Sequence, residues 1–509
     1  MQEKVQHVVE QNRGLQEIKV SVGSWALLEM VAELGSTDIV YRRVTFEALP
    51  DDVLLEVFDF YVDEVQDFDA WHPLVHVCRR WRHIVFASPR RLRVQLYCSF
   101  KRPARKMLDV WPPLPLVIAN ITDDPTSPEP EDPDNVLAAL EHSDRVYDIY
   151  LGAVQGHLLE SVVGVMEGPF PSLESLVLNS DTDGPAPVLP DSFLSGSAPR
   201  LQSLILGHVQ FPAFRRLPLV AGNLVHLRLW DIPGHRYIPP RAIINCLVAL
   251  TALQSFDLEF SLPPSPPYQP SRLPPPLTRA ILPALTSFHV KGVSEYLEDI
   301  VALIEVPLLN DFGVTFFNQL MFNNPQTLQF ISRAERIKVS NRATVILSLD
   351  TIVLKFSQKT ETVNHTGLEI VISSTQTDWQ LSSLAQICVW SLPHLSTLER
   401  LDICDDRHSS PEWQDDMEND QWLELVQPFT AVKDLHLSKD VAQRFAPALQ
   451  ELTEERVAEM LPALQNLFLE ELQTSGPIHK ATGQFVAARQ LSDHPVALHN
   501  WERREGFDD

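Results

Sequence analysis

Two short polar stretches carry the residue types that acid–base or metal chemistry would need: a His-Ser-Asp run at 142–144 and an Asp-Asp-Arg-His run at 405–408. An imidazole beside a carboxylate suits proton transfer, and the same side chains bind metal ions. Neither run has further ligands nearby in the sequence, so we interpret both as surface loops. Motifs typical of serine hydrolases, zinc peptidases, nucleotide-binding loops and kinases do not occur. The sequence therefore indicates a protein that is not an enzyme and has no catalytic residue, cofactor or metal site.

The cysteines are few and scattered: Cys78, Cys98, Cys246, Cys388 and Cys404. They form no CxxC pair or Cys/His cluster, which argues against a disulfide framework and against a zinc site. A reducing compartment explains this usage most simply, so we predict an intracellular protein, cytoplasmic and/or nuclear. Cys78 falls on a predicted helix stripe, and we interpret it as a small apolar core residue.

The composition of the chain limits the classes of partner that it can bind. A net charge of −26 argues against nucleic acid, because phosphate binding needs a basic surface. The sequence shows no N-terminal apolar segment typical of a signal peptide and no run of apolar residues long enough to span a bilayer. We therefore expect no membrane association and an ordinary globular protein with ample core material.

Four segments have a marked local charge or proline content. The basic segment 90–105 either contacts an acidic partner or forms the outer face of a strand, and its alternation with apolar residues favours the strand. The acidic, proline-rich segment 122–134 is a phosphorylation site or, as we prefer, a plain loop. The proline-rich segment 263–276 has the spacing of an SH3-type ligand, but a stiff insertion loop explains it as well. The carboxylate-rich run 412–420 is interpreted as a solvated loop.

Near the N-terminus the sequence predicts an amphipathic helix. Pro50 stands where its missing N–H costs nothing, and acidic residues at 51 and 52 follow where the helix dipole favours anions. Apolar residues then recur at i, i+3, i+4 and i+7: Leu54, Val57, Phe58 and Tyr61. These features predict one apolar helix face.

A second amphipathic helix is predicted after Pro73, and it ends at the Ser-Pro pair 88–89. Its apolar stripe consists of Leu74, Val77, Cys78, Trp81, Ile84 and Val85. Two such helices alone bury too little surface to be stable. This unit either packs on the rest of the chain or offers an apolar face to a partner.

The order of features in residues 49–93 resembles the F-box family: a Leu-Pro pair, an acidic first turn, a Leu-x-x-Val-Phe face, then Val-Cys-Arg-Arg-Trp-Arg at 77–82. The chain departs from the family where Arg93 follows Leu92, since many members carry a Leu-Trp-like pair there. The resemblance implies docking on the Skp adaptor of an SCF-type (Skp–cullin–F-box) ubiquitin ligase, with the remaining chain holding a protein substrate. Ordinary core helices of a larger domain are the alternative, and the joint match in order and spacing favours the F-box.

By this resemblance, nine apolar residues face the adaptor or support that surface directly: Leu49, Pro50, Leu54, Leu55, Val57, Phe58, Val77, Trp81 and Ile84. The implied partners are a Skp-type adaptor, a cullin ligase core and an unknown protein substrate. Ubiquitin chemistry then belongs to other subunits.

From about residue 146 an apolar pattern recurs: an apolar residue, two spacers, an apolar residue, one spacer and an apolar residue. It begins at Val146, Leu173, Leu201, Leu224, Leu253, Leu285 and Leu309, and again at Leu398, Val432 and Leu464. The last two apolar residues of each unit lie two apart, so they share one face of a strand. The run resembles the leucine-rich repeat, which places one short parallel strand in each coil.

The repeats are irregular. No Asn or Cys stands eight residues after the first apolar residue, so no asparagine ladder is expected. A mixed α/β domain with unrelated Leu-rich strands is the alternative, and the recurrence favours the array. Between 330 and 390 the candidate strands are repeats or hairpins.

We therefore predict an α+β or α/β fold in which a small N-terminal helical F-box precedes an irregular leucine-rich-repeat-like solenoid with parallel strands. The predicted segments are a partly helical extension at 1–44, the F-box at 45–95, a connecting segment with the acidic loop at 96–145, the array at 146–475, and a C-terminal cap and tail at 476–509. The predicted function is substrate recognition in an SCF-type ligase. A scaffold with an F-box-like module is the alternative, and an unrecognised hydrolase would need a pocket with convergent His and carboxylate groups.

Overall fold

The computed structural model describes residues 49–65, 69–120, 132–182, 184–194, 197–234, 237–263, 279–317, 325–334, 336–337, 341–357, 367–374, 377–389, 395–411, 419–452, 459–471 and 477–503. The predicted N-terminal extension and nearly all of both proline-rich segments lie outside these residues. The chain divides into two compact units, Met1–Arg93 (unit 1) and Val94–Asp509 (unit 2).

Unit 1 is helical where it is described. Its helices are α1 (Asp51–Val65), α2 (Trp71–Val77) and α3 (Arg79–Ala87). The core side of α1 carries Leu54, Phe58 and Val62, which recur every four residues and are buried. The Phe58 and Trp81 rings lie 4.6 Å apart, so α1 packs directly on α3.

Cys78 breaks the predicted second helix into two. It adopts an extended conformation (φ −158°, ψ 170°) between α2 and α3, and its Sγ accepts the backbone N–H of Trp81 at 3.5 Å. The interpretation of Cys78 as a core residue is wrong, because the break turns both Cys78 and Val77 to the surface. Arg82 Nε donates to the Val75 carbonyl at 3.0 Å, which satisfies an orphan carbonyl at the end of α2.

Unit 2 is a mixed α/β unit built on a large, mostly parallel sheet. Its strands are β1 (Leu96–Cys98), β2 (Leu116–Ala119), β3 (Val146–Val154), β4 (Ser175–Ser180), β5 (Ser203–Gly207), β6 (His226–Ile232), β7 (Ser255–Phe260), β8 (Ala280–Ile281), β9 (Ser287–Gly292), β10 (Ile304–Glu305), β11 (Asp311–Phe317), β12 (Arg342–Leu347), β13 (Thr351–Ser357), β14 (Leu368–Ser373), β15 (Arg400–Asp405), β16 (Asp434–Leu437), β17 (Asn466–Glu470) and β18 (Ala497–Trp501). In the described residues sixteen of them form one sheet, in the order β1-β2-β3-β4-β5-β6-β7-β9-β11-β14-β13-β12-β15-β16-β17-β18, and β8 pairs with β10.

Helices connect many of these strands. They are α4 (Ala104–Val110), α5 (Pro133–Leu140), α6 (Gly156–Val165), α7 (Leu217–Val220), α8 (Pro240–Ala249), α9 (Ser294–Val301), α10 (Pro325–Arg333), α11 (Thr377–Val389), α12 (Asn419–Val426), α13 (Lys439–Gln450) and α14 (Pro477–Leu491). Short 3₁₀ turns lie at Pro212–Arg216 and Leu395–Thr397. Alternating strands and helices are the usual way to cover a parallel sheet.

The recurring apolar pattern lies on parallel strands in register. The second apolar residue of successive units forms one buried row: Leu176, Leu204, Leu227, Phe256, Phe288 and Phe312. The rings of Phe256 and Phe288 are stacked with centroids 5.8 Å apart. Each such side chain contributes about 1.5–3 kcal/mol when fully buried, so this row forms one continuous, stabilising layer of the core.

Between β11 and β15 the parallel order is interrupted. β13 pairs antiparallel with both β12 and β14, so of the two arrangements left open for the 330–390 region the structure shows the hairpins. The sheet also extends beyond residues 146–475, because β1 and β2 precede that range and β18 follows it.

In two of the described turns a backbone hydrogen bond takes the place of the missing asparagine. After β4 and after β7 the next residue donates its backbone N–H to the end of the preceding strand: Asp181 to the Val154 carbonyl of β3 at 2.8 Å, and Ser261 to the Ile232 carbonyl of β6 at 2.9 Å. Within the described ranges, no helix has the length and apolar character needed to cross a bilayer.

Candidate functional site

The start of α1 is held by an arginine of α3. Arg80 Nε donates to Asp51 Oδ1 at 2.8 Å, and a terminal nitrogen of the same guanidinium donates to the Leu49 carbonyl. One planar group therefore fixes both the acidic first turn and the residue before Pro50. Pro50 itself is exposed, while Leu49 is half-buried. The Leu-Pro pair is thus presented at the surface in a fixed conformation.

One side of α1 is acidic, and two arginines neutralise it. Arg91 contacts Glu56 at 2.7 Å and Asp59 at 2.9 Å, and Arg93 contacts Asp63 at 3.1 Å. The carboxylates stand at i, i+3 and i+7, so they share one side of the helix. These two arginines of the basic segment 90–105 are therefore engaged by carboxylates of their own unit.

A third side of α1 is apolar and accessible. We call it the α1 strip and define it as Val53, Val57 and Phe60, which stand at i, i+4 and i+7. Val53 is 39% exposed and Phe60 is 55% exposed, whereas Val57 is half-buried. The strip lies on a different side of the helix from the buried row Leu54–Phe58–Val62, so Val53 and Phe60 are not part of the core formed by the described residues of unit 1.

The nine predicted adaptor-facing residues separate into three groups. Leu54, Phe58 and Ile84 are buried, so they are positioned to support the surface from inside. Pro50 and Val77 are exposed. The others are half-buried: Leu49, Leu55, Val57 and Trp81.

Sequence reasoning missed Val53 and Phe60, which are two of the three exposed large apolar residues of α1; the third is Val65. Their spacing from Val57 contained the signal, because i, i+4, i+7 also defines a helix side. The apolar stripe through Leu54 and Phe58 is more pronounced, so the sequence pattern indicated that side of the helix first.

Unit 2 carries a charged cluster on the sheet face opposite the buried row, which we call the open face. His289 on β9 lies between Asp257 on β7 and Asp311 on β11, with Nδ1 3.2 Å from Asp257 Oδ1 and Nε2 3.1 Å from Asp311 Oδ2. Ser287 also donates to Asp311, at 2.9 Å. Burial opposes the imidazolium charge, but the hydrogen bonds and charges of the two carboxylates raise the pKa of His289 to about 10.

Gly313 makes room for this cluster. It pairs with His289 in the register of β11, and a Cβ there would lie 2.4 Å from His289 Cδ2. Asp257, His289 and Gly313 are the residues between the last two apolar residues of successive repeat units, so aligning the units would have placed them side by side. The cluster has the geometry of a fixed cation held by two carboxylates.

The two polar runs at 142–144 and 405–408 do not form a common site. Asp405 is buried and accepts a hydrogen bond from Ser438, while His408 is exposed. The His142 and Asp144 pair lies in the turn after α5. Among the described residues, no group of three or more His, Cys, Asp or Glu side chains is placed to hold a metal ion.

Comparison with known proteins adds no relative: no protein-family model and no curated protein sequence matches the chain.

Proposed function

We propose that the chain is the substrate-recognition subunit of an SCF-type ubiquitin ligase. Unit 1 docks on a Skp-type adaptor, which connects it to the cullin core, and unit 2 holds a protein substrate. The α1 strip is the observation that carries this proposal. It is an apolar helix side that remains accessible in a unit whose sequence resembles the F-box.

The chemistry of the strip supports a protein partner. Exposed apolar side chains that line up on one helix side mark interaction surfaces more often than isolated ones do. A stable interface buries about 1,200–2,000 Å² and depends on a few anchors, often aromatic. Phe60 is such an anchor, and the Leu-Pro pair fixed by Arg80 extends the surface at the start of α1.

We also propose that the sheet of unit 2 is an irregular leucine-rich-repeat-like solenoid, interrupted by the antiparallel strands β12–β14. The register of the apolar row from β4 to β11 supports this. Its open face offers the substrate charges of both signs, among them Arg228, paired with Glu259 at 2.8 Å, and the carboxylates around His289. A partner with complementary charges would gain orientation and specificity from such a surface.

A scaffold that never enters a ligase is the second candidate. The burial of Leu54, Phe58 and Ile84 favours it to this extent: the chain's own core encloses these three side chains, so none of them is accessible to an adaptor, and each can act only as support for the surface. The two candidates differ in one outcome, which is binding to a Skp-type adaptor.

Co-purification decides between them. The full chain is co-expressed with a Skp-type adaptor and its cullin, and compared with the double variant Leu49→Ala/Pro50→Ala and with Leu219→Ala, an exposed apolar residue of unit 2. We expect the wild type and Leu219→Ala to retain the adaptor, and the double variant to lose it with an unchanged melting temperature. Normal adaptor retention by the double variant would refute the assignment of the Leu-Pro pair to the docking surface. If the wild type does not retain the adaptor, the ligase proposal fails and the scaffold is the remaining candidate.

A further inference from the structure

A cavity of about 620 Å³ lies at the ends of β5 and β6. The proposed function does not use this cavity. Its floor consists of buried apolar side chains: Leu206, Val209, Phe214, Leu229, Ile232 and Ala242. Small-molecule sites typically enclose about 300–1,000 Å³ and are mostly apolar with a few placed polar groups. The cavity therefore has the size of a ligand site, with an apolar floor and polar side chains such as Gln210 and Arg215 in its lining.

The walls of the cavity are fixed by contacts that do not depend on a ligand. The backbone N–H of Gln210 donates to the Pro187 carbonyl at 2.8 Å, and its side-chain amide donates to the Ala186 carbonyl at 3.0 Å. On the other side, the ring of Tyr237 stacks on Phe260 with centroids 3.7 Å apart. Because the site is preformed, a ligand would not need to order these segments, which lowers the cost of binding.

Arg215 supplies a cation at the rim. It lines the cavity from the 3₁₀ turn after β5, and its side chain is exposed. Among the described residues that line the cavity, none has an acidic side chain. In a chain of net charge −26, a cation in such surroundings creates a local preference for an anion.

We propose that this cavity binds a small organic acid with an apolar body and a single carboxylate. The body occupies the buried floor, and the carboxylate accepts hydrogen bonds from the Arg215 guanidinium, whose planar fork matches a carboxylate. An aryl body and an alkyl body share this chemistry. The aromatic side chains Phe214 and Tyr237 in the lining favour the aryl form.

Calorimetric titration of the full chain with naphthalene-2-carboxylate tests the proposal, with octanoate as the alkyl probe and naphthalene-2-carboxamide as the neutral one. We expect one site per chain and about tenfold weaker carboxylate binding in Arg215→Gln, the loss typical of one charge-assisted hydrogen bond. The neutral amide should bind Arg215→Gln and the wild type alike. Arg216→Gln is the matched control, because Arg216 is also an exposed residue of the same turn and is not among the residues that line the cavity.

Two further variants locate the site. Ala242→Phe fills the floor, and Val188→Trp narrows the rim at a residue that is 50% exposed, so that the fold survives in at least the second variant. Both should abolish binding of naphthalene-2-carboxylate. The proposal is overturned if neither carboxylate binds the wild type, if Arg215→Gln and Arg216→Gln bind equally, or if Val188→Trp binds as the wild type does.

Discussion

Replacing Phe60 by alanine should weaken binding to a Skp-type adaptor strongly while leaving unit 1 folded. Phe60 is 55% exposed and stands on the α1 strip, away from the buried row through Phe58. Surface substitutions of this kind usually change the free energy of unfolding by less than about 0.5 kcal/mol. Alanine also has a higher helix propensity than phenylalanine, so α1 itself should persist.

The expected loss of affinity follows from the accessible area. A phenylalanine side chain has roughly 200 Å² to bury, of which the exposed fraction leaves about 110 Å² for a partner. At about 25 cal/mol per Å² this area corresponds to about 2.7 kcal/mol. The alanine that replaces it keeps a small part of that contact. A net loss of about 2 kcal/mol remains, which is about a 30-fold increase in Kd.

The assay is calorimetry or biolayer interferometry between the purified chain and a purified Skp-type adaptor. Leu219→Ala serves as the control, since Leu219 is 85% exposed and lies in unit 2. Phe58→Ala provides the contrast, because truncating a buried phenylalanine costs about 3–5 kcal/mol of stability. A Phe60→Ala variant that binds within twofold of the wild type would show that the α1 strip is not the docking surface.

Two histidines of unit 2 predict opposite responses to pH. His289 has its pKa raised from 6.5 to about 10 by two carboxylates, so its contribution to stability is complete below pH 6.5 and is lost as the pH rises towards 10. In urea titrations, the His289→Gln variant should therefore lose less folding stability than the wild type as the pH rises towards 10. The difference should be well under about 1.4 kcal/mol per pH unit, because the side chain is partly exposed. The same dependence of stability on alkaline pH in both proteins would contradict this. Burial and the charges of Arg400 and Arg342 lower the pKa of His436 to about 3, so this histidine is neutral in the folded state. Because the unfolded chain takes up the proton near pH 6.5, the wild type should lose up to about 1.4 kcal/mol of folding stability per pH unit from this group as the pH falls from 6.5 to 3. His436→Gln should flatten that acid limb, and an equally steep limb in both proteins would exclude this histidine as its cause.

The strands of unit 2 were predictable because their apolar residues repeat at fixed spacing. Leu204, Leu227 and Phe256 each follow a buried residue by three positions, and each is aligned with its neighbour in the sheet. Such local periodicity reports which face of a strand is buried. It does not report what stands on the other face.

The features that sequence reasoning missed depend on contacts between distant residues or on one backbone conformation. Asp257 and His289 are 32 positions apart, and only the register of the strands joins them. Cys78 continues the helical period in the sequence, yet one extended residue turns α3 away from α2. The spacing of Val53, Val57 and Phe60 indicated a second apolar side of α1, but the sequence of a helix with two apolar sides does not show which side its core will use.

Hydroxyl-radical footprinting of the purified full chain, alone and with a Skp-type adaptor, tests the central claim most directly. It reads the solvent accessibility of individual side chains, so it follows Phe60 and Val77 themselves. Both should be modified readily in the chain alone and should become protected when the adaptor is added, while Leu219 stays equally reactive. Protection of Phe60 in the chain alone, or equal modification of Phe60 and Val77 with and without the adaptor, would contradict the account.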